Sequence, residues 1–155
     1  MIIARKFSVN KVYVFDTGVF IPLAFHLNRN PTLAAYWRKI GRSKLYVSVV
    51  TLGELRALAL KRGWGERKTQ TLNELLGRFI AYPVLRSDKL LMETYARLDA
   101  YSENKLPEHP LGRSVTMGKN DLWIAATAAV LDAELVTFDS DFAHLGLEWL
   151  SVRWF

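Results

Sequence analysis

The sequence predicts an α/β domain built on a mainly parallel sheet with helices on both faces. Three observations lead there. Short β-branched and aromatic runs alternate along the chain with longer helix-like segments, the pattern of strand–helix–strand units. The segment 122–131 carries no charge on any side, as expected of a helix buried between a sheet and its neighbours. Half of the 155 residues are hydrophobic, enough for a chain of this length to bury a core.

The first run, "KVYVF" (11–15), is apolar after its first residue and reads as a strand buried on both faces. "GVFIPLAFHLN" is helix-like, with Pro22 near its first turn, where proline is tolerated. Asn30-Pro31 breaks it, and "TLAAYWRKIG" gives a second short helix closed by Gly41. "KLYVSVV" (44–50) is the next strand. "TLGELRALALKRG" (51–63) is the next helix, with Lys61 and Arg62 in its last turn and Gly63 after it. Residues 66–79 read as an amphipathic helix, and "IAYPVL" (80–85) as a strand that Pro83 places at an edge or irregular position.

A longer helix, about 88–104, precedes "KLPEHPLGRSVTMGK", which holds two prolines and two glycines and has no periodicity. A loop that long in a compact domain is more often functional than idle. A helix at 120–131, the strand "AELVTF", a turn around "DFAHLG" and a strand-like "LEWLSVRWF" complete the chain. No repeat, low-complexity tract or linker interrupts it, so residues 1–155 are expected to form a single domain.

Composition narrows the function. Lys and Arg number 21 against 15 Asp and Glu, a formal charge of +6 that favours polyanionic partners. No apolar run of 18 residues exists, which argues against a membrane span. The opening "MIIARKFSVN" has too short an apolar run before Arg5 and Lys6 for a signal peptide. Without cysteine there is neither a disulfide framework nor a thiolate metal site. A cytoplasmic protein fits these features.

Against that basic background, the positions of the acids stand out. Asp16 follows one apolar strand and Asp139 follows another; Asp121 begins a helix, and Glu54 lies in the first turn of the helix after the second strand. Ligands of such sheets gather beyond the carboxyl ends of the strands. Carboxylates crowded there repel unless a cation lies between them, and hard oxygen ligands suit Mg²⁺ or Mn²⁺. Each acid also has a local reading. Thr51-x-x-Glu54 matches a capping box, Asn120 and Asp121 suit a helix start, and Asp16 and Asp139 suit turns that end strands. Capping accounts for each position separately, but not for all four on one edge.

"VFDTGVFIPL" (14–23), "VSVVTLGELRALAL" (47–60), "PLGRSVTMGKNDLWIAATA" (110–128) and "LVTFDSDFAHLGLEWLSVRW" (135–154) together span nearly the whole chain. In this order they resemble the PIN domain, specifically the VapC-type toxin ribonucleases of toxin–antitoxin pairs. The resemblance implies a PIN-like three-layer fold in which Asp16, Glu54, Asp121 and Asp139 hold one or two Mg²⁺ or Mn²⁺ ions, with Asp141 as a further ligand. It implies hydrolysis of an RNA phosphodiester by a water that the metal activates. Thr17, Asn120 and Thr137 fall where the family places small polar residues that orient the carboxylates or the water. Arg113, in the long loop, is the candidate contact to a phosphate. Also implied are an RNA substrate, a cognate antitoxin and a homodimer, with the apolar residues of 19–37 as an interface.

Basic stretches at 38–44 and 61–68 suit an RNA backbone, with Trp37 or Trp64 beside them for stacking, although tryptophan at helical spacing is more often packed. His26, His109 and His144 show no partner pattern for metal or triad chemistry. Three rivals remain in view. A haloacid-dehalogenase-like phosphatase also has an aspartate after its first strand, but needs a second acid where Gly18 stands. The second is a catalytically inactive PIN fold that only binds RNA or protein, and the third a plain structural domain with well-capped helices.

Overall fold

Val12–Phe15 forms strand β1, and its alternation decides the layering: Tyr13 and Phe15 point to one apolar cluster, Val14 to another. The computed structural model describes residues 11–155, Leu147 by its backbone alone; the stretch "MIIARKFSVN" lies outside the described residues. The other strands are β2 (Lys44–Ser48), β3 (Ile80–Tyr82), β4 (Glu134–Thr137) and β5 (Ser151–Trp154). They form one sheet in the order β3-β2-β1-β4-β5, parallel at every pairing.

Helices α1 (Thr17–Phe25), α2 (Pro31–Ile40), α3 (Val49–Lys61) and α4 (Glu66–Leu76) follow the early strands. Helices α5 (Lys89–Ser102) and α6 (Lys119–Val130) make the crossover from β3 to β4. One cluster collects Phe15, Phe20, Leu33, Leu45, Val47 and Leu55, under α1 to α4. The other collects Val14, Leu98, Leu122, Ile124 and Leu135, under α5 and α6. The result is three layers, helix–sheet–helix, with a core on each face.

Helix α6, free of charge from Leu122 onward, is buried from Ile124 through Ala128, as its sequence requires. Val19, Phe20, Leu23 and Leu33 are buried in the chain's own core, which leaves Ile21, Ala24, Phe25, Leu27, Tyr36 and Trp37 half-buried in 19–37. Ile80 is half exposed on β3, an edge strand that ends before Pro83. None of the described helices is long and apolar enough to cross a membrane.

Several boundaries differ from the sequence reading: Pro22 is the sixth residue of α1, inside the helix rather than near its first turn, α4 ends at Leu76 and α5 at Ser102. Strand β2 stops at Ser48, whose hydroxyl accepts the Val50 amide proton at 3.2 Å and caps α3. Val49 and Val50 therefore start a helix although both favour strands; the cap outweighs propensity. The final strand-like segment shortens to β5, and Ser140–Leu147 winds as a 3₁₀ helix.

The long loop between α5 and α6 has no helix or strand. It is held by Asn104, in the left-handed region at φ 56°, whose side-chain oxygen accepts from the amides of Leu111 (2.9 Å) and Gly112 (3.1 Å). Farther on, the Val115 amide bonds to the Ser102 carbonyl at 2.7 Å and Met117 is buried, which delivers Gly118 to the start of α6.

Candidate active site

In a parallel sheet every strand ends at the same edge, and here β1 and β4 are neighbours at the point where the strand order reverses. An open hollow of about 490 Å³ lies beyond them, lined by Asp16, Thr17, Gly18, Glu54, Asp121, Phe138, Asp139 and Ser140. Each of the four acids arrives on a different element: after β1, on α3, in the first turn of α6 and after β4.

Two threonines organise three of these carboxylates. The Thr137 hydroxyl donates to Asp16 Oδ2 at 2.9 Å and accepts the Asp139 amide proton at 2.9 Å, which ties the ends of β1 and β4 together. The other Asp16 oxygen, Oδ1, accepts the Thr17 amide at 2.8 Å and caps α1. Thr17 then donates its hydroxyl to Glu54 Oε1 at 2.8 Å, with the Thr51 hydroxyl 3.1 Å away.

The capping-box reading of Glu54 is therefore overturned. Ser48 caps α3, Glu54 is the helix's sixth residue, and its carboxylate turns to Thr17 across the hollow. Asp139 caps the 3₁₀ turn by accepting the Asp141 amide at 2.9 Å.

The electrostatics are one-sided. Burial first, then the carboxylates of Asp16, Asp139, Glu54 and Asp141, push Asp121 up to about 6. This happens although the first turn of a helix favours an acid, so desolvation and like charge outweigh the helix dipole there. Asp16 is raised as well, chiefly by burial, against the lowering pull of its bonds from Thr137 and Thr17. Among the described residues no lysine, arginine or histidine forms an ion pair with any of the four.

Asp141 is exposed outside the hollow and touches its electrostatics through Asp121. Arg113 is exposed on the long loop and does not line the hollow, and Asn120 lines a neighbouring one. His144 is buried with its Nε2 2.7 Å from the Ser102 hydroxyl, and His109 Nδ1 lies 2.6 Å from Glu148 Oε2. Trp37 stacks on Phe79, and Trp64 packs edge-on to Phe25, so both are engaged within the fold.

Two residues enter that sequence reasoning passed over. Thr51 is buried beside Thr17, and in sequence it shows only as the first position of the alternative capping-box pattern. Gly118 caps α6, and a Cβ there would stand 3.2 Å from Asp121 Oδ2, so the glycine gives that carboxylate its room.

The donor set fits a hard divalent cation: oxygen ligands only, mutually repelling and without a counter-charge. Among the described residues no three His, Cys, Asp or Glu side chains already stand close enough to grip an ion. Like charges with nothing between them hold apart.

A family model described as the PIN domain matches residues 13–147. No curated protein matches the chain. Among solved structures, VapBC2 from Rickettsia felis bound to a promoter DNA fragment aligns with a TM-score of 0.72 at 20% identity, over 92% of this chain and 97% of that one. VapBC-1 from nontypeable Haemophilus influenzae aligns with 0.65 at 26% identity, over 92% and 97%. VapBC-5 from Mycobacterium tuberculosis aligns with 0.57 at 26% identity, over 93% and 98%.

Proposed function

The chain belongs to the PIN-domain family, and from that premise we propose that it is a metal-dependent ribonuclease, the toxin of a VapBC-type toxin–antitoxin pair. One observation carries the catalytic part: four carboxylates from four elements share a hollow, and among the described residues no lysine, arginine or histidine pairs with any of them. The likeness to VapBC structures over nearly the full chain supports the toxin part, with an antitoxin protein as partner. Its 21 Lys and Arg against 15 Asp and Glu support a polyanionic substrate.

In this reading Asp16, Glu54, Asp121 and Asp139 hold one or two Mg²⁺ or Mn²⁺ ions, and Asp141 stands next to them as an outer ligand. The cation supplies positive charge to offset the scissile phosphate and lowers the pKa of the attacking water. Thr137 holds Asp16 and Asp139 in fixed relation, and Thr17 holds Glu54. Asp121, at about 6, is the acid most ready to exchange a proton for a metal ion near neutral pH. The working form is a homodimer that the antitoxin caps.

Purified protein incubated with structured and single-stranded RNAs should cleave in Mg²⁺ or Mn²⁺ and stop in EDTA. Asp16→Asn should abolish cleavage while keeping the α1 cap, because the amide oxygen still accepts the Thr17 amide. Cleavage that survives chelation or the substitution overturns the proposal. RNA binding with no cleavage of any substrate would instead identify an inactive binding module.

A further inference from the structure

A second hollow adjoins the acidic one, and the two share Glu54. One stripe of α3 forms its floor: Val50, Gly53, Ala57 and Leu58, with Lys61 at the far end. Asn120, in the first turn of α6, lines the hollow with them, where α6 packs against α3. Among the described residues Asn120 makes no side-chain hydrogen bond, and Lys61 makes no ion pair. Both are exposed. An uncommitted amide and an uncommitted cation thus flank an apolar surface that is continuous with the acids.

That combination matches the parts of a nucleotide. Apolar side chains cover the face of an unstacked base, and an asparagine amide offers one donor edge and one acceptor edge to the base's rim. Lys61 lies seven residues beyond Glu54, about 10 Å along the helix axis, where a point charge meets the next phosphate. No aromatic ring lines the hollow, so discrimination between bases falls to the amide rather than to stacking.

We propose that this hollow is the subsite for the nucleotide next to the scissile phosphate, and that Asn120 is the residue that selects its base. The assignment rests on the ribonuclease reading and gives Asn120 a role at the substrate in place of one beside the carboxylates.

The test uses the whole chain and fluorescein-labelled single-stranded RNA octamers of each base, with anisotropy measured in EDTA so that no cleavage intervenes. Wild type should favour one base, and Asn120→Ala should shrink that preference by about tenfold. Gly53→Phe fills the hollow from a position where a Cβ meets nothing within 4 Å, so it should fold normally and weaken binding of the preferred RNA by about tenfold. In Mg²⁺, Asn120→Ala should still cleave but with its site preference lost. The proposal is overturned if wild type binds all four RNAs alike, if Asn120→Ala keeps the wild-type preference, or if Gly53→Phe binds RNA as wild type does. The last result is also what a hollow serving a protein partner would give. Failure of the ribonuclease reading looks different: wild type would bind with base preference and cleave nothing in any metal.

Discussion

The carboxylates of the acidic hollow and those around α5 and the loop after it are treated in opposite ways. Near α5, Asp99 lies 3.1 Å from Lys119, Glu108 3.3 Å from Arg97, Glu103 2.5 Å from Lys105, and Glu148 2.6 Å from His109. Lys105 holds Glu103 below the usual carboxylate range. In the hollow, the partners of Asp16, Glu54, Asp121 and Asp139 among the described residues are threonines, backbone amides and one another, and Asp121 rises to about 6. A chain with 21 basic residues does not lack cations for them. Exposed pairs cost little to make and contribute little, whereas unpaired, half-buried acids cost stability and persist where a function needs them. The difference between the two regions is what the proposed cation site requires.

Asp121→Asn should have the largest effect, and with opposite signs in two measurements. Cleavage in Mg²⁺ should fall by about 100-fold or more, while metal-free stability in urea should rise by about 1 kcal/mol as a repelling charge leaves. Lost stability together with retained cleavage would put Asp121 in the same class as the acids near α5.

Next in size is the response to metal. Mg²⁺ or Mn²⁺ at about 100 times its dissociation constant should add roughly 2.7 kcal/mol, or about 5–10 °C in a thermal melt. The gain should vanish in Asp121→Asn; an unchanged melt across the titration would count against a cation site.

The pH response is smaller, and its sign depends on metal. The carboxyl of Asp121 moves from 3.8 to about 6 on folding, so the metal-free protein holds a proton that the unfolded chain releases. The contribution of Asp121 to stability should be highest below about pH 4, fall as pH rises to about 6, and level off above that. With metal present, the cation displaces the proton and stability should rise over the same window. Urea melts with and without EDTA read both slopes, and slopes of the same sign would remove the link between Asp121 and the ion.

Glu108→Gln, in the paired region, should be nearly silent. Its effect should stay within about 0.5 kcal/mol, with no dependence on metal. A larger shift would mean that the pairs near α5 carry more of the fold than exposed pairs usually do.

Much of this architecture was legible in sequence. Periodicity located β1, β4 and the helices, because an element buried on both faces leaves a run without charge, as in Val12–Phe15 and Ile124–Ala128. Strand β2 was overextended because Val49 and Val50 look like strand residues until the Ser48 cap is known. The alternative local reading of Glu54 as a cap rests on the pattern Thr51-x-x-Glu54, while its partner, Thr17, stands 37 residues away. Asn120 is placed beside the acids by the family resemblance; successive helical residues lie about 100° apart, and Asn120 and Asp121 line different hollows.

By itself, then, the sequence determined the class of fold, the two-sided burial of its sheet, the surplus of positive charge and the identities of the four acids. These are properties of composition and short-range spacing, which a linear chain displays directly. Only the tertiary structure decided that β1 and β4 are neighbours, that Thr137 joins Asp16 to Asp139 across 121 residues, and that the ion pairs among the described residues leave the four acids out. Those facts depend on strand order and on where side chains meet in space. No window of sequence contains both partners of such a contact.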